Sequence, residues 1–161
     1  MLNKAIFLDR DGVINLDVLN YTWQINDFKF LDGIFEACRE FQKRGYLLIV
    51  VTNQAGISKG LYTHADVEKL HAHMKAVFLN EGVTITEAYY CPHHEKYTKC
   101  LCRKPGSLLV EKAIARFNID PSLSYFIGDR ERDVEAGERA GVKGILVEVN
   151  TGIGQLVHAI R

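Results

Sequence analysis

The chain has 161 residues, 47% hydrophobic and 25% charged, enough apolar material for one packed domain. Its 20 Lys and Arg residues balance 20 Asp and Glu residues, which argues against a protein whose main task is gripping nucleic acid. No run approaches the roughly 20 apolar residues that span a bilayer, so no membrane segment is expected. The apolar opening before Asp9 is too short and too soon charged for an export signal. A cytoplasmic monomer is therefore expected. In a reducing setting, clustering among Cys38, Cys91, Cys100 and Cys102 suggests metal binding rather than disulfides.

In chain order, Ala5 to Leu8 is a short, fully apolar run of the kind found in buried parallel strands. Ile34, Ala37, Cys38 and Phe41 recur at helical spacing, and Gly45 follows as a stop. Tyr46 to Thr52 reads as a second buried strand. Thr63 and Asp66 have the spacing of a capping box. The helix they open carries an apolar stripe of Val67, Leu70, Met74, Val77 and Phe78. Val83 to Tyr90 reads as a third strand, and Ser107 as the cap of a helix reaching about Asn118. Tyr125 to Gly128 is a fourth strand, Glu131 to Ala140 a short helix and Gly144 to Val149 a fifth strand. Leu156, Ala159 and Ile160 suggest a short final helix. Alternating strands and helices predict an α/β fold: a doubly wound, mostly parallel sheet, forming a single domain over residues 1–161.

Ligands of such sheets sit beyond the carboxyl ends of the strands. Here those ends carry Asp9-Arg10-Asp11-Gly12, Thr52-Asn53-Gln54 and Gly128-Asp129, with Asp133 nearby. Neighbouring strands lie about 4.8 Å apart, so three adjacent ends can converge on one small ligand if the first strand is central. Asp9, Asp11 and Asp129 would repel one another without a cation, and magnesium suits an oxygen-rich site beside a phosphate. Residues i and i+2 of an extended segment share a face, so Asp9 and Asp11 can face one ligand while Arg10 turns aside. A carboxylate is a competent phosphoryl acceptor, which makes Asp9 the candidate nucleophile. Thr52 offers a hydroxyl to phosphate oxygens, and Lys104 the cation that phosphoryl transfer requires. Asp11 is placed to protonate the leaving oxygen and then to take a proton from water. Asn53 reads as a substrate contact or as a turn residue.

A second constellation is Cys91-Pro92-His93 and, six residues on, Cys100-Leu101-Cys102. Four nitrogen and sulfur donors in a loop over residues 91–102 make a closed, structural zinc set. Either His93 or His94 can serve, and symmetry with Cys-x-Cys favours His93. The loop leads directly into Arg103 and Lys104, so a bound zinc would place those cations at the site. Cys38, on a helical apolar stripe, is expected to be core. The segment from Asn15 to Trp23 is a candidate substrate loop, with Asn20, Tyr21 and Trp23 near the mouth. Ser58, Lys59 and Gly60 are expected to border the pocket, and Arg103 to meet a second phosphate or a sugar hydroxyl. His64, His71 and His73 read as solvated surface.

Phe7 to Val13, Val51 to Gln54, Arg103-Lys104-Pro105 and Ile127 to Asp133 resemble the four ordered motifs of haloacid-dehalogenase-type phosphatases. The resemblance spans nearly the whole chain. It implies an aspartyl-phosphate on Asp9, acid/base chemistry on Asp11, and a phosphoryl group held by Thr52 and Lys104. It further implies magnesium on the Asp9 side chain, the Asp11 backbone carbonyl and Asp129, with Asp133 supporting that site from behind. The segment between Asp11 and the first helix is too short for the cap domain that many relatives carry there. Asp9 to Asn15, Thr52 to Ile57 and Tyr90 to His94 are most similar to the bacterial heptose-bisphosphate phosphatase branch, which acts in cell-envelope heptose synthesis. The short zinc loop is more similar to the histidinol-phosphate phosphatase branch. A phosphorylated small molecule, a sugar bisphosphate or histidinol phosphate, is the substrate so implied. A receiver-like phosphoacceptor module also uses Asp, Thr and Lys at strand ends, but lacks the Asp-x-Asp spacing and the zinc loop.

Overall fold

The computed structural model describes all 161 residues. Five strands, β1 (Lys4–Leu8), β2 (Tyr46–Asn53), β3 (Ile85–Cys91), β4 (Tyr125–Gly128) and β5 (Lys143–Leu146), form one sheet in the order β3-β2-β1-β4-β5. Every neighbouring pair is parallel. β1 is therefore central, flanked by β2 and β4, the arrangement that convergence of the motifs requires. The helices are α1 (Ile34–Lys43), α2 (His64–Asn80), α3 (Leu108–Phe117) and α4 (Glu131–Arg139).

The central strands are apolar over Ala5–Leu8 and Leu47–Val51 because both faces of the sheet are covered there, while the edge strands β3 and β5 are half-buried and carry polar residues. On one face, Ile6 and Leu8 pack with Ile34, Cys38 and Phe41 of α1 and Met74 and Phe78 of α2. On the other, Ala5 and Phe7 meet Leu109, Val110 and Ala113 of α3 and Phe126 of β4. The Phe7 and Phe126 rings stack with centroids 6.1 Å apart. Each such side chain contributes about 1.5–3 kcal/mol by leaving water. Cys38 lies in this core, where burial pushes its thiol up to about 12.

Local chemistry sets the helix starts. Asp66 N donates to Thr63 Oγ1 at 3.2 Å and Thr63 N to Asp66 Oδ2 at 2.8 Å, the expected capping box. Ser107 does stand before α3, but its hydroxyl donates to Glu111 Oε2 at 3.0 Å instead of accepting from the first turn. Its ψ of 1° departs from the extended backbone that a capping side chain needs. β3 begins at Ile85, after the Gly82 turn, and β5 ends at Leu146. The final segment forms only a 3-10 turn, Gly154–Val157, too short to sustain α-helix; Arg44 Nη1 donates to the Val157 and Ile160 carbonyls. No helix is long and apolar enough to cross a membrane.

Candidate active site

The parallel order sets three strand ends side by side. Asp9 follows β1, Thr52 and Asn53 end β2, and Asp129 follows β4. A cleft of about 420 Å³ opens over them, lined by Asp9, Asp11, Thr52, Asn53 and Asp129 at its floor. Asp17, Asn20, Tyr21, Lys59, Arg130 and Arg132 border it. Lys104 reaches in from the loop before α3. Its Nζ lies 2.8 Å from Asp9 Oδ1, 2.8 Å from the Val51 carbonyl and 2.7 Å from Asp133 Oδ1. The Asn53 amide grips the Lys104 backbone from both sides: it accepts from Lys104 N at 3.0 Å and donates to Lys104 O at 3.3 Å. Asn53 thus ties the end of β2 to the lysine loop as well as facing the cleft.

Donor atoms of Asp9, Asp129 and Asp133 all lie within 4.8 Å of one another. Burial raises the Asp9 carboxyl well above its ordinary range; Lys104 opposes this, and Asp133 and Asp129 add to it. Burial likewise raises Asp129. Burial alone would lower Lys104, but Asp9 and Asp133 outweigh it and hold the ammonium charged. Asp133 Oδ1 is ion-paired with Lys104 Nζ without a well-aligned hydrogen bond, and Oδ2 accepts from the Arg130 N–H at 3.0 Å, which caps α4. Both oxygens of Asp129 are buried without a hydrogen-bond partner, and the nearest protein cation, Arg130 Nε, is 3.9 Å from Oδ2, a costly condition for a carboxylate unless a closer cation meets it. Gly12 keeps that space open: at φ +89° a Cβ there would stand 2.4 Å from Asp129 Oδ2. Hard oxygen donors facing a cleft fit magnesium.

The Asp11 side chain stands apart from these three. Arg10, expected to turn aside, folds back onto it. Arg10 Nη2 donates to Asp11 Oδ1 at 3.0 Å and Oδ2 at 3.2 Å, and Nε to Oδ1 at 3.3 Å. Asn15 Nδ2 adds a bond to Oδ1 at 2.9 Å and Gln54 Nε2 one to Oδ2 at 3.2 Å. The i, i+2 alternation fails here because the chain leaves the extended form. The N–H groups of Val13, Ile14 and Asn15 all close onto the Arg10 carbonyl. Burial alone would raise the Asp11 carboxyl, but the Arg10 guanidinium and the bonds from Asn15, Arg10 and Gln54 hold it below its ordinary value.

His71 is a second correction: it is 5% exposed, on the inner side of α2, with Nε2 3.2 Å from Arg10 Nη1. Burial and the Arg10 charge press its pKa down to about 3. An unfolded His71 takes a proton near its ordinary value of 6.5, while the folded one does not until far lower pH. Its stabilising contribution is thus complete above that value and drains away as pH falls towards the folded one. Between pH 7.5 and pH 5 the wild type should lose about 2 kcal/mol that His71→Gln does not lose. Urea unfolding of both proteins at the two pH values measures this; parallel losses would refute it.

Thr52 is 1% exposed, with Oγ1 accepting from Gln54 Nε2 at 3.0 Å. Arg103 is not brought to the cleft. Its Nη1 donates to the His93 carbonyl at 3.3 Å, and it lines a separate cavity of about 600 Å³ that holds none of the strand-end aspartates. Of the 15–23 loop, Asp17, Leu19, Asn20 and Tyr21 reach the cleft. Trp23 instead stacks on Tyr62 at 6.1 Å. Arg130 and Arg132, given no substrate role by the motif reading, border the cleft because α4 starts at the end of β4. Motif position could have flagged them, since both lie between Asp129 and Asp133.

Cys91, His93, Cys100 and Cys102 also gather within 4.8 Å of one another. Cys91 Sγ lies 3.4 Å from His93 Nδ1, 3.7 Å from Cys100 Sγ and 2.8 Å from Cys102 Sγ, and His93 Nδ1 3.3 Å from Cys102 Sγ. A tetrahedral zinc with sulfur bonds of about 2.3 Å needs donor separations of about 3.8 Å. The number and type of donors fit zinc, and the Cys91 and Cys102 sulfurs would part by about 1 Å to hold it. His94 is turned away, its Nδ1 accepting from Lys96 N at 3.1 Å.

Comparison with known proteins points the same way. A HAD-hydrolase-like family profile matches residues 101–156. The chain is 47% identical over 150 residues to the D-glycero-alpha-D-manno-heptose-1,7-bisphosphate 7-phosphatase of Campylobacter jejuni, covering 93% of this chain and 84% of that one. It is 43% identical over 158 residues to the D-glycero-beta-D-manno-heptose-1,7-bisphosphate 7-phosphatase of Haemophilus ducreyi, covering 94% and 86%. The crystal structure of D,D-heptose 1,7-bisphosphate phosphatase from B. bronchiseptica, complexed with magnesium and phosphate, superposes with a TM-score of 0.85 at 29% identity, covering 97% of this chain and 86% of that one. By fold, ordered motifs and sequence identity, the chain belongs to the haloacid-dehalogenase-type phosphatases, in the family of the heptose-1,7-bisphosphate 7-phosphatases.

Proposed function

We propose that this phosphatase removes the 7-phosphate of D-glycero-D-manno-heptose 1,7-bisphosphate, through an aspartyl-phosphate on Asp9. The observation that carries the chemistry is the Asp9 carboxylate at the end of the central strand, with Lys104 Nζ at 2.8 Å and the unpartnered Asp129 beside it. The substrate assignment rests on the identity to relatives named for that reaction.

Asp9 and Asp129 side chains, with the Asp11 carbonyl, would hold magnesium. When bound, it supplies positive charge against the clustered carboxylates and the phosphoryl oxygens. Lys104 and the Thr52 hydroxyl orient the phosphoryl group. An Asp9 oxygen attacks phosphorus, the bond to the sugar oxygen breaks, and Asp11 gives that oxygen its proton. Water then attacks the same phosphorus, Asp11 takes its proton, and Asp9 is released with inorganic phosphate. Asp11 is held ionised by Arg10, Asn15 and Gln54, the form that the second half needs. An incoming phosphoryl dianion pushes the same carboxyl up, towards the protonated form that the first half needs.

The competing substrate, histidinol phosphate, calls for a free carboxylate to meet an ammonium group. Among the residues that border the cleft only Asp17 carries a carboxylate, and it lies 3.7 Å from the Arg130 guanidinium and is 15% exposed. Phosphate release from each compound, with phosphorus NMR to identify the ester cleaved, tests the assignment. Loss of the 7-phosphate with a clear kcat/KM advantage is expected. A larger kcat/KM on histidinol phosphate would overturn it.

Zinc in the Cys91, His93, Cys100 and Cys102 set would hold the loop that delivers Lys104, which lies two residues beyond Cys102. Cys100→Ser is expected to lose zinc and to lower kcat by about 10–100-fold, as displaced positioning groups do. Metal analysis and turnover of the purified variant check this. Full zinc with full activity would reject the set.

A further inference from the structure

Arg10 is the largest fully buried side chain in the protein, yet it does not line the cleft. A guanidinium with no access to water needs acceptors on every side, and its partners come from three parts of the chain. Nη2 donates to the Thr22 carbonyl at 2.6 Å, from the loop after β1. Nη1 faces His71 Nε2 at 3.2 Å, from α2. The Phe28 ring covers the guanidinium carbon at 5.7 Å. Arginine has only donors, so His71 must accept through Nε2 and carry its proton on Nδ1. The plane of the guanidinium is thereby set from outside, and its remaining edge faces Asp11.

Three side chains touch the Asp11 carboxylate, but Asn15 meets only Oδ1 and Gln54 only Oδ2. Arg10 alone spans both oxygens. We propose that Arg10 and His71 form a buried positioning pair that fixes the plane of the Asp11 carboxyl group for its two proton transfers. The inference rests on the acid/base assignment of Asp11. Neither residue touches substrate. Arg10 acts through Asp11, and His71 acts through Arg10. The same Asp11 group must meet the leaving oxygen in one half-reaction and water in the next. An error of about 1 Å in such a group can cost about 100-fold in rate. A buried ion pair is seldom more stabilising than an apolar replacement of its own size, so a geometric role explains its presence better than a stabilising one.

The test separates proton-dependent from proton-independent steps. Departure of a sugar alkoxide needs the Asp11 proton; departure of p-nitrophenolate does not. Hydrolysis of the aspartyl-phosphate needs Asp11 for both substrates. Arg10→Met, His71→Leu, His71→Gln and Asp11→Asn would be compared by rapid mixing on heptose bisphosphate and p-nitrophenyl phosphate, with magnesium present. For Arg10→Met, kcat on the sugar ester should fall about 100-fold with KM within about threefold. On p-nitrophenyl phosphate the same variant should release a burst of about one p-nitrophenol per site, followed by slow turnover. His71→Leu should show the same pattern at about a tenfold loss, and His71→Gln, which retains a neutral acceptor, should recover most of it. A folded Arg10→Met that loses both substrates equally without a burst, or that keeps wild-type kcat, would overturn the proposal. Should Arg10→Met fail to fold, the His71 pair decides: equal kcat for the Leu and Gln variants would overturn it. Asp11→Asn is the reference. If it lacks the leaving-group split, the acid/base assignment falls and takes the inference with it. If it shows the split and Arg10→Met does not, the inference alone fails.

Discussion

Replacing Asp9 with Asn is expected to abolish turnover, by about 10⁴-fold or more, which corresponds to about 5.5 kcal/mol of lost transition-state stabilisation. The amide is nearly isosteric but cannot form the acyl-phosphate. The fold should survive. Asp9 is a buried carboxylate crowded by Asp133 and Asp129, and its raised pKa records burial first and that crowding second. Removing its charge leaves Lys104 still paired with Asp133 at 2.7 Å. Stability of the metal-free variant should therefore be unchanged or higher by about 1 kcal/mol. Phosphate release and urea unfolding on the same preparation check both parts. Substantial activity in a folded Asn variant would exclude covalent catalysis by this residue.

Lys104→Met is expected to damage both stability and rate. The ammonium is 2% exposed and is shared by Asp9 and Asp133. Methionine fills its volume but leaves two buried carboxylates with no cation, a loss of about 3–5 kcal/mol. The sign of the pH dependence follows. With the lysine gone, the folded-state Asp9 pKa rises further above its unfolded value, so the variant keeps its stability at low pH and loses it as pH rises through that pKa. The gap between variant and wild type, measured in chelator, should be smaller at pH 5 than at pH 7.5. A gap that is constant with pH would mean that packing around the lysine stem, and not charge, was lost. Turnover should fall about 10³-fold or more, because phosphoryl transfer depends on the cation at that position.

The two variants probe opposite signs in one cluster, and the cluster shows what could be read early and what could not. The strands were legible because the short apolar runs at Ala5–Leu8 and Leu47–Val51 suit strands buried on both faces; their order was expected only on the condition that the polar strand ends share one ligand, which the sheet order β3-β2-β1-β4-β5 meets. His93 was legible over His94 from the symmetry of two Cys-containing pairs. The capping box at Thr63 was legible because its two bonds lie within four residues.

Other features depended on partners far along the chain. His71 lies in a helix whose other histidines, His64 and His73, also read as surface, and a buried guanidinium from the segment after β1 makes it interior. Arg103 sits next to Lys104 in sequence, yet its side chain leaves for the His93 carbonyl while Lys104 Nζ reaches Asp9. Ser107 holds the capping position without making the capping bond, because its hydroxyl has a carboxylate acceptor one turn on.

By itself the amino-acid sequence determined that this protein is a parallel α/β phosphatase with Asp9, Thr52 and Asp129 at strand ends, Asp11 just beyond the first of them, Lys104 in a loop and a Cys/His cluster in the loop before it. Periodicity and residue chemistry act locally, so they survive without coordinates. Only the tertiary structure decided which buried charge answers which. Asp133 answers Lys104, Arg10 answers Asp11 under the hold of His71 and Thr22, and Asp129 is left for a cation. The physical reason is that a charge removed from water must be met at about 3 Å by whatever group the fold brings there, and that group is set by packing between distant elements.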